Sequence, residues 1–375
     1  MKLTVLQENL EQGLSIVNNF VSSGNQLPVL ANILLSAEKG KLKLSATNLE
    51  TGINLWLPAK IEKKGKITIP AKVFYSFVSS LPADKAVLQA KQNKLKINCR
   101  NFKASFNGLS ASEFPSIPSL KNKKESTKAK KLVLKTDKFV KAVKEVAFTS
   151  AIDEARPILT GVRLNFLKKK LQLVATDGYR LSIKKINLDK KEDLPTIIIS
   201  AQALMEIAKI ASQQEEKKVR VILTKDSNQA IFSFESVEVV TRLIEGEFPD
   251  FKKIIPEDCS TKIVVDKTEF EQAVKSASLF AKDSANIIKF KINNSKLIIA
   301  ANSPDIGDNK VELEIEKKGE NNQIAFNFRF LQDYLNVVEK EKIILEISGP
   351  LKPGVFKTAK KSSFLHIIMP VRIQE

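Results

Sequence analysis

One arrangement recurs three times along this chain. Leu27-Pro28-Val29-Leu30, Arg156-Pro157-Ile158-Leu159 and Ala285-Asn286-Ile287-Ile288 fall at steps of 129 residues. Each opens a stretch that soon reads Ala46-Thr47-Asn48, Ala175-Thr176-Asp177 or Ala300-Ala301-Asn302. Solenoid units run to roughly 20–50 residues, so this period is too long for one. It is the size of a whole domain. The 375 residues are therefore expected to form three tandem domains, 1–128, 129–260 and 261–375. A chain that repeats a whole domain is suited to building a large geometry.

Within each third the pattern repeats again. Lys2-Leu3-Thr4-Val5, Lys131-Leu132-Val133-Leu134 and Lys262-Ile263-Val264-Val265 are short β-rich runs. They lead into helices predicted over 9–21, 137–148 and 268–280. Phe139, Val140, Val143 and Val146 follow helical spacing, with Lys138, Lys141 and Lys144 on the other side. Phe270, Val274 and Ala277 do the same, with Lys275 and Lys282 outside. Thr136-Asp137 and Asp266 stand at the expected caps. Three strands follow, and then the scheme restarts. Lys66-Ile67-Thr68-Ile69, Thr196-Ile197-Ile198-Ile199 and Gln323-Ile324-Ala325-Phe326 precede helices predicted over 71–80, 201–212 and 330–338. Each domain thus reads as two βαβββ halves, with six helices in all. The fold class is α+β with antiparallel sheets. Linkers are expected at 119–130 and 256–262, and Asp177-Gly178 marks a hairpin between 171–175 and 179–183.

The chain carries a formal net charge of +19, from 53 Lys and 8 Arg against 42 acids. Residues 1–128 hold 19 basic and 8 acidic groups, the largest excess of the three copies. Lysine is a solvated point charge, whereas arginine supplies the planar fork used for specific contacts. A Lys-heavy excess suits non-specific attraction to phosphates, strongest from the first third. It equally suits a compositional bias on solvated faces. Residues 1–10 show no signal-peptide pattern, and no apolar run approaches the roughly 20 residues of a membrane span. Cys99 and Cys259 are expected as free, buried or half-buried thiols in a reducing cytoplasm.

Catalytic chemistry finds little material. The one histidine, His366, sits in an apolar run and reads as a strand residue with a structural hydrogen bond. A zinc site or a Ser-His-Asp triad is not readily built from this inventory. Residues 349–354 resemble a phosphate loop only in their glycines. Val355 stands where Lys is needed, and two prolines remove backbone donors. Asp153, Glu154, Asp177, Asp305 and Asp308 read as solvated loop acids. No enzyme activity, cofactor or metal is expected.

Several motifs occur in one order along the whole length: Leu27-Pro28-Val29-Leu30, RPILTGV at 156–162, VATDGYRL at 174–181, GEFPDFKKIIP at 246–256 and Met369-Pro370-Val371-Arg372. On these the chain resembles the bacterial DNA polymerase III beta subunit, the sliding-clamp family. The resemblance implies a DNA-clamp fold in which two chains join head to tail into a closed ring around duplex DNA, helices facing the hole. It implies a processivity factor that meets phosphates loosely, without base readout. Lys72, Lys138, Lys141, Lys144, Lys209 and Lys275 are the DNA-facing candidates. It also implies a groove between the second and third domains for peptides of the replicative polymerase, the clamp loader and repair proteins. Carried over residue by residue, that groove uses Leu159, Thr176, Gly178, Tyr179, Arg180, Leu181, Pro249, Lys253 and Ile254. From the third domain come Leu351, Pro353, Ile367, Ile368, Met369, Pro370, Val371 and Arg372. A cytoplasmic, nucleoid-associated homodimer follows.

The chain departs from the family where Tyr179 replaces a frequent His and Lys253 a frequent Arg. The uncharged Ser22-Ser23-Gly24-Asn25-Gln26 lacks a basic residue often found there. Gln374 and Glu375 extend past the usual end, and family members are commonly acidic overall. A hydrolase or nuclease acting on DNA and a basic nucleic-acid-coating protein without ring closure are the competing readings. The scarcity of His and the lack of a convergent acid cluster disfavour the first. Release from DNA on linearisation separates encirclement from the second.

Overall fold

The computed structural model describes residues 1–22, 27–38, 40–120, 130–153, 155–191, 194–213, 216–224, 228–283, 285–358 and 362–372. Most of the expected linker at 119–130, most of the 22–26 loop, Glu154, Gln374 and Glu375 lie outside the described residues. The first copy runs β1 (Lys2–Leu6), α1 (Gln7–Val17), β2 (Asn32–Glu38), β3 (Lys41–Thr47), β4 (Thr51–Pro58) and β5 (Lys60–Lys63). It continues with β6 (Gly65–Pro70), α2 (Ala71–Ser79), β7 (Lys85–Lys91), β8 (Lys94–Cys99) and β9 (Phe102–Asn107). The second runs β10 (Lys130–Lys135), α3 (Thr136–Ala147), β11 (Gly161–Leu167), β12 (Lys170–Thr176) and β13 (Arg180–Asn187). Its second half is β14 (Ile197–Ser200), α4 (Ala201–Gln213), β15 (Lys218–Thr224), β16 (Gln229–Ser233) and β17 (Val237–Arg242). The third runs β18 (Thr261–Asp266), α5 (Lys267–Ala281), β19 (Ile287–Asn293), β20 (Lys296–Ser303), β21 (Gly307–Glu314) and β22 (Glu316–Gly319). It ends with β23 (Asn322–Asn327), α6 (Phe328–Val337), β24 (Lys342–Ile347), β25 (Gly354–Lys357) and β26 (Phe364–Ile368).

The doubled βαβββ order is present, but the pairing crosses the halves. β1 leaves its own half and joins β7, β8 and β9, while β6 joins β2, β3 and β4. The same exchange places β10 beside β15 and β14 beside β11 in the second copy, and β18 beside β24 and β23 beside β19 in the third. All of these pairs are antiparallel. Each half therefore depends on the other for its first strand.

The sheets then join across copies. The chain forms two compact units, one of Met1–Phe139 with Glu206–Leu243, the other of Val140–Met205 with Ile244–Glu375. In the first unit β4 pairs with β17, making an eight-stranded sheet, and a five-stranded sheet runs β5-β1-β7-β8-β9. In the second unit β13 pairs with β26, making a nine-stranded sheet, and a four-stranded sheet runs β21-β20-β19-β23. A continuous ladder thus ties the first half of one copy to the second half of the next. The two sheets of the central copy fall one in each unit for this reason.

Local chemistry fixes the ends. Asp266 caps α5, its carboxylate accepting from the amides of Thr268 (2.8 Å) and Glu269 (3.1 Å). Asn327 caps α6 through the Arg329 amide at 2.9 Å, so that helix starts two residues before the expected 330. α1 starts at Gln7, whose amide donates to the Asp84 carbonyl at 2.8 Å, and it ends in a 3-10 turn over Asn18–Phe20. The hairpin predicted at Asp177-Gly178 joins β12 to β13. Asp177 Oδ1 accepts from the amides of Tyr179 and Arg180, both at 2.9 Å, while Asn48 Oδ1 accepts from those of Glu50 (3.1 Å) and Thr51 (2.7 Å) in the first copy. An Asx turn is thus conserved between copies down to its hydrogen bonds.

The core of the second unit is a run of rings. Phe270, Phe290, Phe326 and Phe356 meet edge to face at 5.4–5.7 Å, and Tyr334 then stacks on His366 at 4.9 Å. Burying each Phe contributes about 1.5–3 kcal/mol, and edge-to-face geometry suits the ring quadrupoles. His366 is fully buried on β26, and its Nδ1 lies 2.8 Å from the Ser182 hydroxyl, as expected for a structural histidine. Burial holds its pKa well below the usual imidazole value. Cys99 is buried. Cys259, expected buried or half-buried, is exposed because it precedes β18 on the chain leading into the third copy.

Candidate functional site

The residues carried into the groove all lie in the second unit. β13 and β26 pair with Leu181 opposite Ile367 and Arg180 opposite Ile368. Successive strand residues face opposite sides, and this divides the candidates. Leu181 and Ile367 face a buried apolar cluster with Val174, Ile183, Val355 and Phe251. Phe248, Ile254, Ile255 and Leu365 pack around it, partly buried. Ile368 belongs to the large core on the other face and carries no groove surface.

Arg180 also turns away from the groove. Its Nε donates to Asp177 at 2.9 Å, its Nη1 to Asp333 at 2.5 Å, and its Nη2 to the Phe148 carbonyl at 3.1 Å. The guanidinium lies 4.6 Å from the centre of the Phe330 ring, and only 10% of the side chain is exposed. Arg180 is a brace beneath the groove, with each of its three guanidinium nitrogens already donating. Thr176 is tied up as well. Its hydroxyl donates to the Arg180 carbonyl at 2.6 Å and accepts from the Gly178 amide at 3.0 Å. Gly178 adopts φ +93°, the left-handed conformation this turn requires.

The surface around the apolar floor is open. Tyr179 is 66% exposed and Leu351 60%. Pro249 and Arg372 are exposed, and Pro353, Met369, Pro370 and Val371 are half-buried. The Met369 amide donates to the Tyr179 carbonyl at 2.8 Å, which ties the segment after β26 to the hairpin. Lys253 points to solvent, its Nζ 3.7 Å from Asp250. Leu159 is buried in a 3-10 turn over Pro157–Thr160, and its carbonyl accepts from the Ala151 amide. The floor, the hairpin and the 369–371 segment are therefore brought together. Val174, Val355 and Phe251 join this floor without being named from the sequence: Val174 and Val355 lie in continuously buried strand stretches and Phe251 in a 3-10 turn, so no alternation marks them.

The lysine candidates lie on four helices. Lys72 on α2, Lys138 and Lys144 on α3, Lys209 on α4 and Lys275 on α5 are exposed. Lys141 is half-buried and leans on the exposed Glu339, which partly counters its charge. Among the described residues the six helices carry eight basic and eight acidic side chains. Among the described residues the charge excess therefore lies outside the helices. In the first copy α1 and α2 offer one lysine against two glutamates, so that copy's large excess is not on its helices.

Similarity to known proteins is uniform along the chain. Three family models match: the N-terminal domain of the DNA polymerase III beta subunit over residues 1–118, its central domain over 133–250 and its C-terminal domain over 252–372. The chain belongs to the DNA polymerase III beta subunit family. The Beta sliding clamp of Bacillus subtilis is 29% identical over 99% of this chain and 100% of its own. The crystal structure of the B. subtilis sliding clamp superposes with a TM-score of 0.92 at 28% identity, each chain covered in full. The beta subunit from Thermotoga maritima gives 0.91 at 28%, again over both full lengths. As a beta subunit the chain has the three-domain sliding-clamp fold and is a non-catalytic accessory subunit, the processivity factor of DNA polymerase III in DNA replication. Among the described residues no three His, Cys, Asp or Glu side chains converge as a metal site, and no helix is long and apolar enough to cross a membrane.

Proposed function

We propose that two copies close head to tail into a ring that encircles duplex DNA and slides without sequence preference. The observation that carries this is the order of strand pairing between copies. The last strand of a first half meets the last strand of a second half in the following copy, as β4 meets β17 and β13 meets β26. Continued once more, the series pairs β21 of one chain with β9 of another. Both are sheet edges within a chain, and an exposed edge is a template for pairing. Their charges are complementary. β8 and β9 offer Lys94, Lys96 and Lys103 with no acid, whereas β21 offers Asp308, Glu312 and Glu314 with one lysine. Two heterologous contacts of this kind close a two-fold ring and leave neither edge open.

In this reading the domains are 1–128, 129–260 and 261–375. The exposed helix lysines meet phosphates loosely, and the hold on DNA is topological. The groove beside β13 and β26 receives peptides from the replicative polymerase, the clamp loader and repair proteins. Tyr179, Leu351, Pro249, Lys253, Ile254, Met369 and Val371 form its walls. The protein works in the cytoplasm at the nucleoid. The test is native mass. The chain of 41.8 kDa should run as a dimer. The triple change Lys94→Glu, Lys96→Glu and Lys103→Glu should weaken dimerisation by about tenfold to hundredfold, as like charges then face β21. A wild-type chain that stays monomeric at micromolar concentration contradicts the ring.

A further inference from the structure

Beside the groove the nine-stranded sheet has a second opening, a cavity of about 400 Å³. Its floor is Ile183, Leu365 and Phe251, and its rim carries Lys185, Lys252 and Lys357. The size falls within the range of ligand pockets, about 300–1,000 Å³. Phe251 stands between the two openings, because it also packs in the cluster with Leu181 and Ile367.

The repeat shows what this place normally holds. In the second unit Ile183 pairs with Leu365; in the first unit the same register pairs Asn54 with Glu238. There the chain covers its own sheet. The Ser119 hydroxyl donates to Glu238 at 2.7 Å, and Asn54 Nδ2 donates to the Pro118 carbonyl at 3.3 Å. The segment that does this follows Glu113-Phe114-Pro115, as Phe251 and Lys252 follow Glu247-Phe248-Pro249. By that alignment Lys252 stands at Pro118, and Lys185 replaces Trp56 on the strand.

The second unit has thus exchanged a self-covered polar pair for an apolar one, of which Ile183 is buried against Phe251 and Leu365 is half-buried at the cavity, and has added two lysines. Lys185 and Lys252 are exposed and form no salt bridge among the described residues. Lys357 already leans on Glu346 at 2.5 Å. Apolar floor with cationic rim is complementary to an apolar side chain flanked by carboxylates. We infer that this cavity is a docking subsite for an acidic peptide segment bearing one large apolar side chain, in a partner whose clamp-binding peptide fills the adjoining groove. The inference rests on the groove reading above.

Fluorescence anisotropy with synthetic peptides tests it. One peptide is the polymerase-derived groove peptide alone. Two more add a Trp-Glu-Glu-Glu flank before or after it, and a fourth is the flank alone. On the wild-type protein at low salt, one flanked peptide should bind about tenfold tighter than the short one, the scale of a few charge pairs plus one buried ring. Lys185→Glu with Lys252→Glu should remove that gain and leave the short peptide unaffected. Ser363→Trp, which fills the mouth without changing charge, should do the same. The subsite is overturned if neither flank tightens binding, or if the gain survives both variants. Should the short peptide fail to bind while the flank alone binds and is lost in both variants, the groove reading falls and the cavity stands.

Discussion

Removing residues 369–375 should abolish binding of a polymerase-derived peptide and should leave the fold and the proposed dimer intact. β26 ends at Ile368, so the deletion spares the whole ladder between β13 and β26. It removes the half-buried Met369, Pro370 and Val371, which wall the groove opposite the hairpin. Two backbone bonds go with them, Met369 to the Tyr179 carbonyl at 2.8 Å and Val371 to the Ala325 carbonyl at 2.9 Å. Both lie at the chain end, so their loss costs little stability. A methionine at such a wall adapts to different apolar anchors. A few central contacts dominate most interfaces, and affinity should fall at least about a hundredfold on that scale. The measurement is peptide anisotropy alongside native mass. Unchanged affinity would remove this segment from the groove.

Arg180→Met should destabilise the protein by roughly 3 kcal/mol, the scale of breaking a buried ion pair by removing one partner. The methionine keeps an apolar stem but leaves Asp177, whose side chain is 15% exposed, without its guanidinium. The Phe148 carbonyl loses its donor too. Asp333 is 45% exposed and water replaces its partner, so Asp333→Asn should cost less than about 1 kcal/mol. Urea unfolding of both variants checks the ratio. Equal, small losses would mean that Arg180 does not brace the groove.

The doubled, tripled pattern could be read from the chain because it resides in local periodicity and capping. Phe139, Val143 and Val146 declare a helix face wherever the helix packs, and Asp266 caps α5 with its own neighbours. Pairing partners are different. Nothing within Lys2–Leu6 says that it will lie beside Lys85–Lys91 instead of its own half. The start of α1 at Gln7 depends on the distant Asp84 carbonyl. In the groove, motif transfer located the strand residues but not their facing. Strand alternation separates Leu181 and Ile367 from Arg180 and Ile368, and it was usable only once the register was known. The periodicity of α3 places Lys141 with Lys138 and Lys144 on one face, but its partner Glu339 lies far along the chain.

Encirclement is tested most directly by loading the protein onto nicked circular DNA with a clamp loader, isolating the complex and cutting the circle once. The ring account predicts stable retention on the closed circle, at a salt concentration that strips electrostatic binders, and prompt release from the linear form. Equal retention on circle and linear DNA would contradict it.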